Sequence, residues 1–432
     1  MVVSEAPPRV RRSGRPSGRV PWTLVGVVVA LVVVGGAGFG SGYVAGRAQA
    51  EQAAQSQPPA DLGTTFNVFW ETWNLVRQHY VDQSAVDPTK MTYGAIQGML
   101  DALGDVGHSR FLSPTERHAE EDALAGRLDG IGAEVTMRDH RPTILAPLPG
   151  SPAEAAGLRP GDTIVRVDGK DVEGLPVDQV TQLVRGQSGT PVTLSVIHQG
   201  DTEIVDVSVV RQQITVPSVT WTLVPGTSVA HVLISEFADH AGDELARALQ
   251  AAQAAGATGV VLDLRNDPGG LRDEAIAAAS QFLSDGTVLI EQDAHGQRTF
   301  YPVKSGGVAV STPLVVLVNE GTASSAEIVA GAIQDHQRAT LVGLTTFGTG
   351  TVLSTYPLSD GSALLLGTEE WLTPNGNEIW HHGITPEIQV DLPAQVVPLE
   401  PQVESSLTPD QVQASQDAQL LRALQELGAG VS

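Results

Sequence analysis

Leu262-Asp263-Leu264-Arg265-Asn266-Asp267-Pro268-Gly269-Gly270 decides the fold of the larger part of this chain. An apolar strand runs into a glycine-rich turn, and residues 273–283 beyond it have helical spacing, so the order is strand, turn, helix. Such a turn leaves backbone N–H groups free to face an anion. The pattern returns at Val318-Asn319-Glu320-Gly321-Thr322-Ala323-Ser324-Ser325-Ala326-Glu327-Ile328-Val329-Ala330-Gly331. There a strand over 314–318 ends in small residues and a helix over 324–334 begins, which sets the Ser324 hydroxyl at a helix amino terminus. These residues alone leave two readings: a reactive hydroxyl, or an N-cap with Glu327 three positions on completing a capping box. With strands expected at 229–234 and 260–264 and a helix at 244–255, residues 213–396 read as an α/β core.

Upstream, residues 126–212 change character. Short apolar runs at 131–135, 143–146, 163–167, 192–197 and 203–209 alternate with the turn pairs Pro149-Gly150, Pro160-Gly161, Asp168-Gly169 and Gln199-Gly200. They predict strands joined by tight turns, with short helices at 152–156 and 177–184. Before them, residues 64–125 read as a helical leader. Phe66, Phe69, Trp70, Trp73, Val76 and Tyr80 recur at three- and four-residue spacing, a stripe expected to pack into a core. A second helix is expected over 91–103. After the core, 397–416 is rich in Pro, Gln and Ser, and 418–427 reads as a short amphipathic helix that folds back on the body.

The amino-terminal end has a different chemistry. Residues 1–21 hold Arg9, Arg11, Arg12, Arg15 and Arg19 against Glu5, a local +4 in a chain of net charge −24, which leaves −28 for the rest. No charged residue lies between Arg19 and Arg47, a span above the roughly 20 residues that cross a bilayer. Residues 22–46 are therefore expected to form one transmembrane helix. The arginines hold 1–21 in the cytoplasm, and everything past a linker at 47–63 lies outside the cell membrane. A cleaved signal peptide is the competing reading, because Ala48-Gln49-Ala50 has a small-x-small pattern. The acidic body excludes a nucleic-acid surface. Zero cysteines exclude disulfides, thiol nucleophiles and cysteine-held metals. His336, His381 and His382 have no metal-site spacing, so neither metal nor cofactor is expected.

The segment with Gly130-Ile131-Gly132, Ser151-Pro152-Ala153, Ala156-Gly157-Leu158, Pro160-Gly161-Asp162-Thr163-Ile164 and Val167-Asp168-Gly169 resembles a PDZ domain. The resemblance implies peptide binding by strand addition, with a terminal carboxylate at Gly130, Ile131 and Gly132. With the two core segments, Thr346-Phe347-Gly348-Thr349-Gly350, Leu372-Thr373-Pro374-Asn375-Gly376 and Gly383-Ile384-Thr385-Pro386-Glu387, residues 64–395 resemble the carboxy-terminal processing peptidases. This family of serine proteases implies a ClpP/crotonase-like α/β core with an inserted PDZ domain, and protein substrates captured by their C-termini. Carried over, the nucleophile is Ser324 and the oxyanion hole is formed by Gly269, Gly270 and Ser325.

One position departs from the family. Most members place a lysine base 25 residues after the serine, where this chain has Thr349, and the glutamine that often supports it corresponds to Leu353. Of the three lysines, Lys90 and Lys170 fall outside the core and Lys304 lies in an unmatched loop. Gly104-Asp105-Val106-Gly107-His108-Ser109-Arg110 resembles the motif of the tricorn-like branch, whose histidine serves as base, and this implies His108 in that role. Glu369 or Glu370 is then the candidate to orient the imidazole; Asp335 matches an acidic position of structural character. The expected function is a membrane-anchored extracytoplasmic serine endopeptidase. The alternative is an inactive pseudopeptidase acting as a PDZ adaptor.

Overall fold

The computed structural model describes residues 65–430 apart from 106–107, 139–140, 149 and 394–395. The expected basic arm, transmembrane helix and linker thus lie outside the described residues. Among the described residues no helix is long and apolar enough to cross a membrane. The chain divides into two compact units, residues 1–91 and 92–432.

In the first unit, helix Thr65–His79 carries the aromatic stripe and is followed by a 3₁₀ turn, Gln83–Ala85. Core packing was the expectation for the stripe, and it does not hold. None of the described residues of this unit is buried. The rings pack on one another instead, Phe69 against Trp70 at 5.1 Å and against Trp73 at 5.9 Å between centroids.

The second unit contains two bodies of regular structure. One is a six-stranded sheet in the order Ala133–Arg138, Arg141–Pro147, Thr163–Val167, Pro191–Ile197, Ile204–Val210, with Lys170–Asp171 paired to the third. Ile144, Ile164, Val180, Val192, Leu194 and Val196 form its core. Strand Ala133–Arg138 pairs on one side only, which leaves an open edge. A two-stranded ribbon, Arg127–Gly130 with Gln212–Thr215, joins this body to the rest.

The other body is an α/β layer. Its six-stranded sheet runs Val219–Leu223, Val229–Ile234, Gly259–Asp263, Leu314–Val318, Thr340–Gly343, Ile388–Gln389, and all neighbours but the first pair are parallel. A parallel sheet needs cover on both faces, and its strands read as continuous apolar runs. The alternation is visible in the packing. Val260, Leu262, Val316 and Val318 face helices Ala241–Ala254, Arg272–Ala279 and Ser325–Asp335. Val261, Val315 and Leu317 face Val412, Leu420, Ala423 and Leu424 of the tail. The tail accordingly holds two short helices besides the expected one: Pro401–Glu404 and Pro409–Ala414 precede Ala418–Glu426. A second sheet of five strands includes Arg110–Leu112, Thr287–Asp293, Thr351–Pro357 and Ala363–Leu372.

Candidate active site

Ser324 is the N-cap of helix Ser325–Asp335 and has φ 54°, ψ −121°, a conformation that a residue with a Cβ rarely adopts. The pair Ser324 and Glu327 has the form of a capping box, and its firm half is the Glu327 carboxylate accepting the Ser324 N–H at 3.0 Å. That buried carboxylate also accepts from Thr346 Oγ1, from Gly348 N–H at 2.8 Å and from Thr349 N–H at 2.8 Å. Burial pushes the Glu327 carboxyl up, and these four donors pull against it. The capping reading and the reactive-hydroxyl reading are therefore compatible: Glu327 fixes the serine backbone, at the turn that follows the interior strand Leu314–Val318.

The 266–270 turn is tied to the serine turn by four bonds, each 2.9 Å: Asn319 Oδ1 accepts Asn266 N–H, Asn319 Nδ2 donates to Asn266 Oδ1, Ala323 N–H donates to Asp267 O and Ser325 Oγ donates to Gly270 O. Gly269 has φ +99°, and a Cβ there would stand 2.6 Å from Ser324 Cβ and 2.8 Å from Ser325 N, so only glycine permits this approach. The expected oxyanion trio needs a correction here. Gly269 N–H already donates to Asp267 Oδ1 at 2.8 Å. The N–H groups of Gly270 and Ser325 have no acceptor among the described residues, and Ser325 is the first helical residue, whose N–H has no intrahelical partner. Asp267 is wholly buried with Oδ2 unpaired, and burial raises its carboxyl well above the usual range.

His108 is 5% exposed. Its Nδ1 lies 3.2 Å from Asp105 Oδ1, in ion-pair range but off the line of a hydrogen bond, and 3.4 Å from Thr351 Oγ1. Its Nε2 is buried with no partner among the described residues. The Phe347 ring centroid is 6.0 Å from that of His108. Asp105 is held in turn: Oδ2 accepts Ser109 N–H at 3.1 Å and Ser109 Oγ at 2.6 Å, and Gly367 N–H donates to that hydroxyl at 3.0 Å. Burial lowers the His108 pKa, Asp105 raises it, and the charge of His381 lowers it. No hydrogen bond joins Ser324 to His108 among the described residues.

The carboxylate beside His108 is therefore Asp105, which the sequence reading quoted but did not single out. Its signal was the spacing of three residues within one turn. Glu369 goes elsewhere: it meets Glu291, which accepts from Arg272 at 2.7 Å and from Tyr301, and burial with that neighbour raises the Glu369 pKa. Glu370 stands opposite Thr351 in the strand register and so emerges on the face that Thr351 shares with His108. Thr349 is buried; its N–H is taken by Glu327 and its carbonyl accepts Trp371 Nε1 at 2.6 Å. Asp335 accepts Asn375 N–H at 2.7 Å, a structural contact. In the open-edged sheet, Gly130 ends the ribbon strand, while Gly130, Ile131 and Gly132 line a cavity of about 150 Å³ together with Leu148, Val184 and Ile214. Among the described residues no group of three or more acidic or histidine side chains is arranged to hold a metal.

A serine at a strand-to-helix turn beside free backbone N–H groups, on a chain with a separate open-edged β domain, defines the class of PDZ-bearing serine peptidases. Peptidase family S41 matches residues 228–390, and a PDZ domain matches 143–197. The chain is 38% identical over 337 residues to the carboxyl-terminal-processing protease of Synechocystis sp., covering 77% of this chain and 78% of that protein. It is 34% identical over 339 residues to the carboxy-terminal processing protease CtpA of Bacillus subtilis, with 78% and 72% covered. A crystal structure described as an S41 protease from Bacteroides fragilis shares the fold with a TM-score of 0.52 at 17% identity, over 79% of this chain and 96% of that one. The chain belongs to the PDZ-containing carboxy-terminal processing serine proteases of family S41.

Proposed function

We propose that this protein is a membrane-anchored, extracytoplasmic serine endopeptidase that captures protein C-termini through its PDZ domain and uses His108 where most of the family use lysine. The observation that carries the catalytic part is the His108 ring: Nδ1 faces the Asp105 carboxylate, and Nε2 is buried and uncommitted. A general base needs one nitrogen oriented by a partner and the other free for the proton. In this reading Nε2 takes the Ser324 hydroxyl proton as Oγ attacks the peptide carbonyl. The oxyanion accepts from Gly270 and Ser325 N–H, the imidazolium protonates the leaving amine, and water then hydrolyses the acyl-enzyme. Hydrogen bonds of this kind often form only with substrate in place. The parallel sheet flanked by helices supports a ClpP/crotonase-like core, and the uncharged run behind five arginines supports anchoring with the body outside.

The second reading, a PDZ adaptor that cleaves nothing, is favoured by Thr349 and Leu353 standing where the family keeps its base and its support. The full chain in detergent, offered an unfolded protein with an apolar C-terminus, separates the two. Cleavage by wild type, lost in Ser324→Ala and reduced about 10²- to 10⁴-fold in His108→Ala, is the expected result. No cleavage, or equal cleavage by wild type and Ser324→Ala, overturns the enzyme reading. Digestion of intact cells that leaves the body untouched overturns the extracytoplasmic placement.

A further inference from the structure

Phe347 is 58% exposed, yet the turn that carries it is closely held. Its N–H donates to Thr322 O at 2.9 Å, two residues before Ser324, and Gly348 O accepts His381 N–H at 3.0 Å. Gly348 and Thr349 give their own N–H groups to Glu327. An added Cβ at Gly350 would stand 2.2 Å from Trp380 N, so the turn is packed tightly at its far end as well. The ring it presents is tilted 49° to that of His108, with 6.0 Å between centroids. A rigid aromatic left open to water beside the candidate base is a surface that a substrate can cover at little cost in ordering.

Strand Thr351–Pro357 adds a second open apolar group. Alternation along the strand puts Leu353 on the face of Thr351, whose hydroxyl is 3.4 Å from His108 Nδ1, and Leu353 is 38% exposed. Opposite it in the neighbouring strand stands Gly367, which has no side chain to cover it. A lone exposed apolar residue needs no explanation, but two such side chains share the neighbourhood of one imidazole here. The base must hand its proton to the leaving nitrogen, while the Gly270 and Ser325 N–H groups hold the acyl oxygen. Side chains beside the imidazole therefore meet the leaving-group half of the substrate. We propose that Phe347, together with Leu353, determines specificity by binding an apolar side chain on the residue just after the scissile bond. The inference rests on the reading of Ser324 as nucleophile and His108 as base.

The test gives the full chain in detergent two quenched peptides with the same apolar C-terminus, which differ only in the residue after the scissile bond: leucine in one, serine in the other. Mass spectrometry confirms the bond cut. Wild type is expected to favour the leucine peptide in kcat/KM by about tenfold or more, as an apolar pocket does. Phe347→Ala should lose most of this preference, Phe347→Leu should retain it, and Leu353→Gln should lose a smaller part. The same exchange in the residue before the scissile bond should affect all four proteins alike. A merely structural role would slow both peptides together and leave their ratio unchanged. That result in Phe347→Ala and Leu353→Gln overturns the inference alone, as does equal cleavage of the two peptides by wild type or a changed preference confined to the residue before the bond. No cleavage of either peptide by wild type, or equal cleavage by Ser324→Ala, overturns the peptidase reading and the inference with it.

Discussion

Ser324 and Thr349 are tied together through a single oxygen: Glu327 Oε2 accepts the Ser324 N–H at 3.0 Å and the Thr349 N–H at 2.8 Å. The nucleophile turn and the turn that carries the base in most relatives are therefore one hydrogen-bonded unit, although this chain has no lysine in it. Glu327→Gln replaces one acceptor oxygen by a donor beside three backbone N–H groups that can only donate, and each buried donor left unpaired costs about 1–3 kcal/mol. We expect a fall in unfolding free energy of that order and a loss of kcat of at least tenfold, with KM little changed. Urea denaturation and steady-state kinetics check it; unchanged kcat in a destabilised but folded variant would separate Glu327 from the alignment of Ser324.

Asp105 gives a prediction about the pH at which His108 can act as a base. Burial holds the His108 pKa below its ordinary 6.5, and Asp105 partly restores it. A base works in its neutral form, so kcat/KM should fall as pH drops through a value below 6.5. Asp105→Asn removes the restoring charge. Its acid limb should move to still lower pH while the plateau falls, because the ring loses its orienting partner. A limb that moves to higher pH, or a plateau equal to wild type, would contradict the pairing.

The peptide groove makes its own demand on Gly132. At φ +73°, an added Cβ would lie 2.4 Å from Ser151 Cβ and 3.0 Å from Ile214 Cδ1, beside the cavity lined by Leu148 and Val184. Gly132→Ala is expected to weaken binding of a labelled peptide with an apolar C-terminus at least tenfold, measured by anisotropy in the Ser324→Ala background. Amidation of the peptide terminus should have a similar effect on the unsubstituted groove, since the carboxylate is what backbone N–H groups recognise. Equal binding of acid and amide would remove C-terminal capture from the proposed function.

The parts of the molecule legible in the sequence are those whose signal is local. Short apolar runs bounded by turn residues located strands Thr163–Val167 and Leu314–Val318. What escaped depends on which elements meet. Glu369 lies against Glu291, and the carboxylate beside His108 is that of Asp105. Gly269 lies against Ser324, but its N–H is committed to Asp267, a pairing that depends on the turn's folded shape. The tail helix at Pro409–Ala414 had a readable start, Thr408 capped against Gln411, in a stretch whose Pro, Gln and Ser content suggested none. Nothing in a linear reading brings His381 to the turn at Gly348.

The tail is also where stability should depend on pH. His231, wholly buried, sits between Glu404 Oε2 at 2.7 Å and Asp263 Oδ2 at 3.0 Å, and Arg265 joins Asp263 to Asp417 of the last helix start. Burial works against a charged imidazole here, but the bonds and charges of Asp263 and Glu404 outweigh it and hold His231 up to about 9. A group raised in the folded state contributes its full stability below its ordinary pKa of 6.5 and loses it as pH climbs through about 9. The unfolding free energy of the full chain is therefore expected to fall by about 2–3 kcal/mol between pH 6.5 and 10. His231→Gln should be less stable at pH 6.5, because Glu404 and Asp263 lose a buried cation, and its denaturation midpoint should lose the wild-type decline over that interval. Because Arg265 directly precedes the 266–270 turn, the same alkaline interval should bring a fall in kcat that His231→Gln shows already at neutral pH. Denaturation and kinetics at half-unit pH steps measure both, and parallel pH profiles for wild type and variant would show that the buried histidine carries no charge in the folded protein.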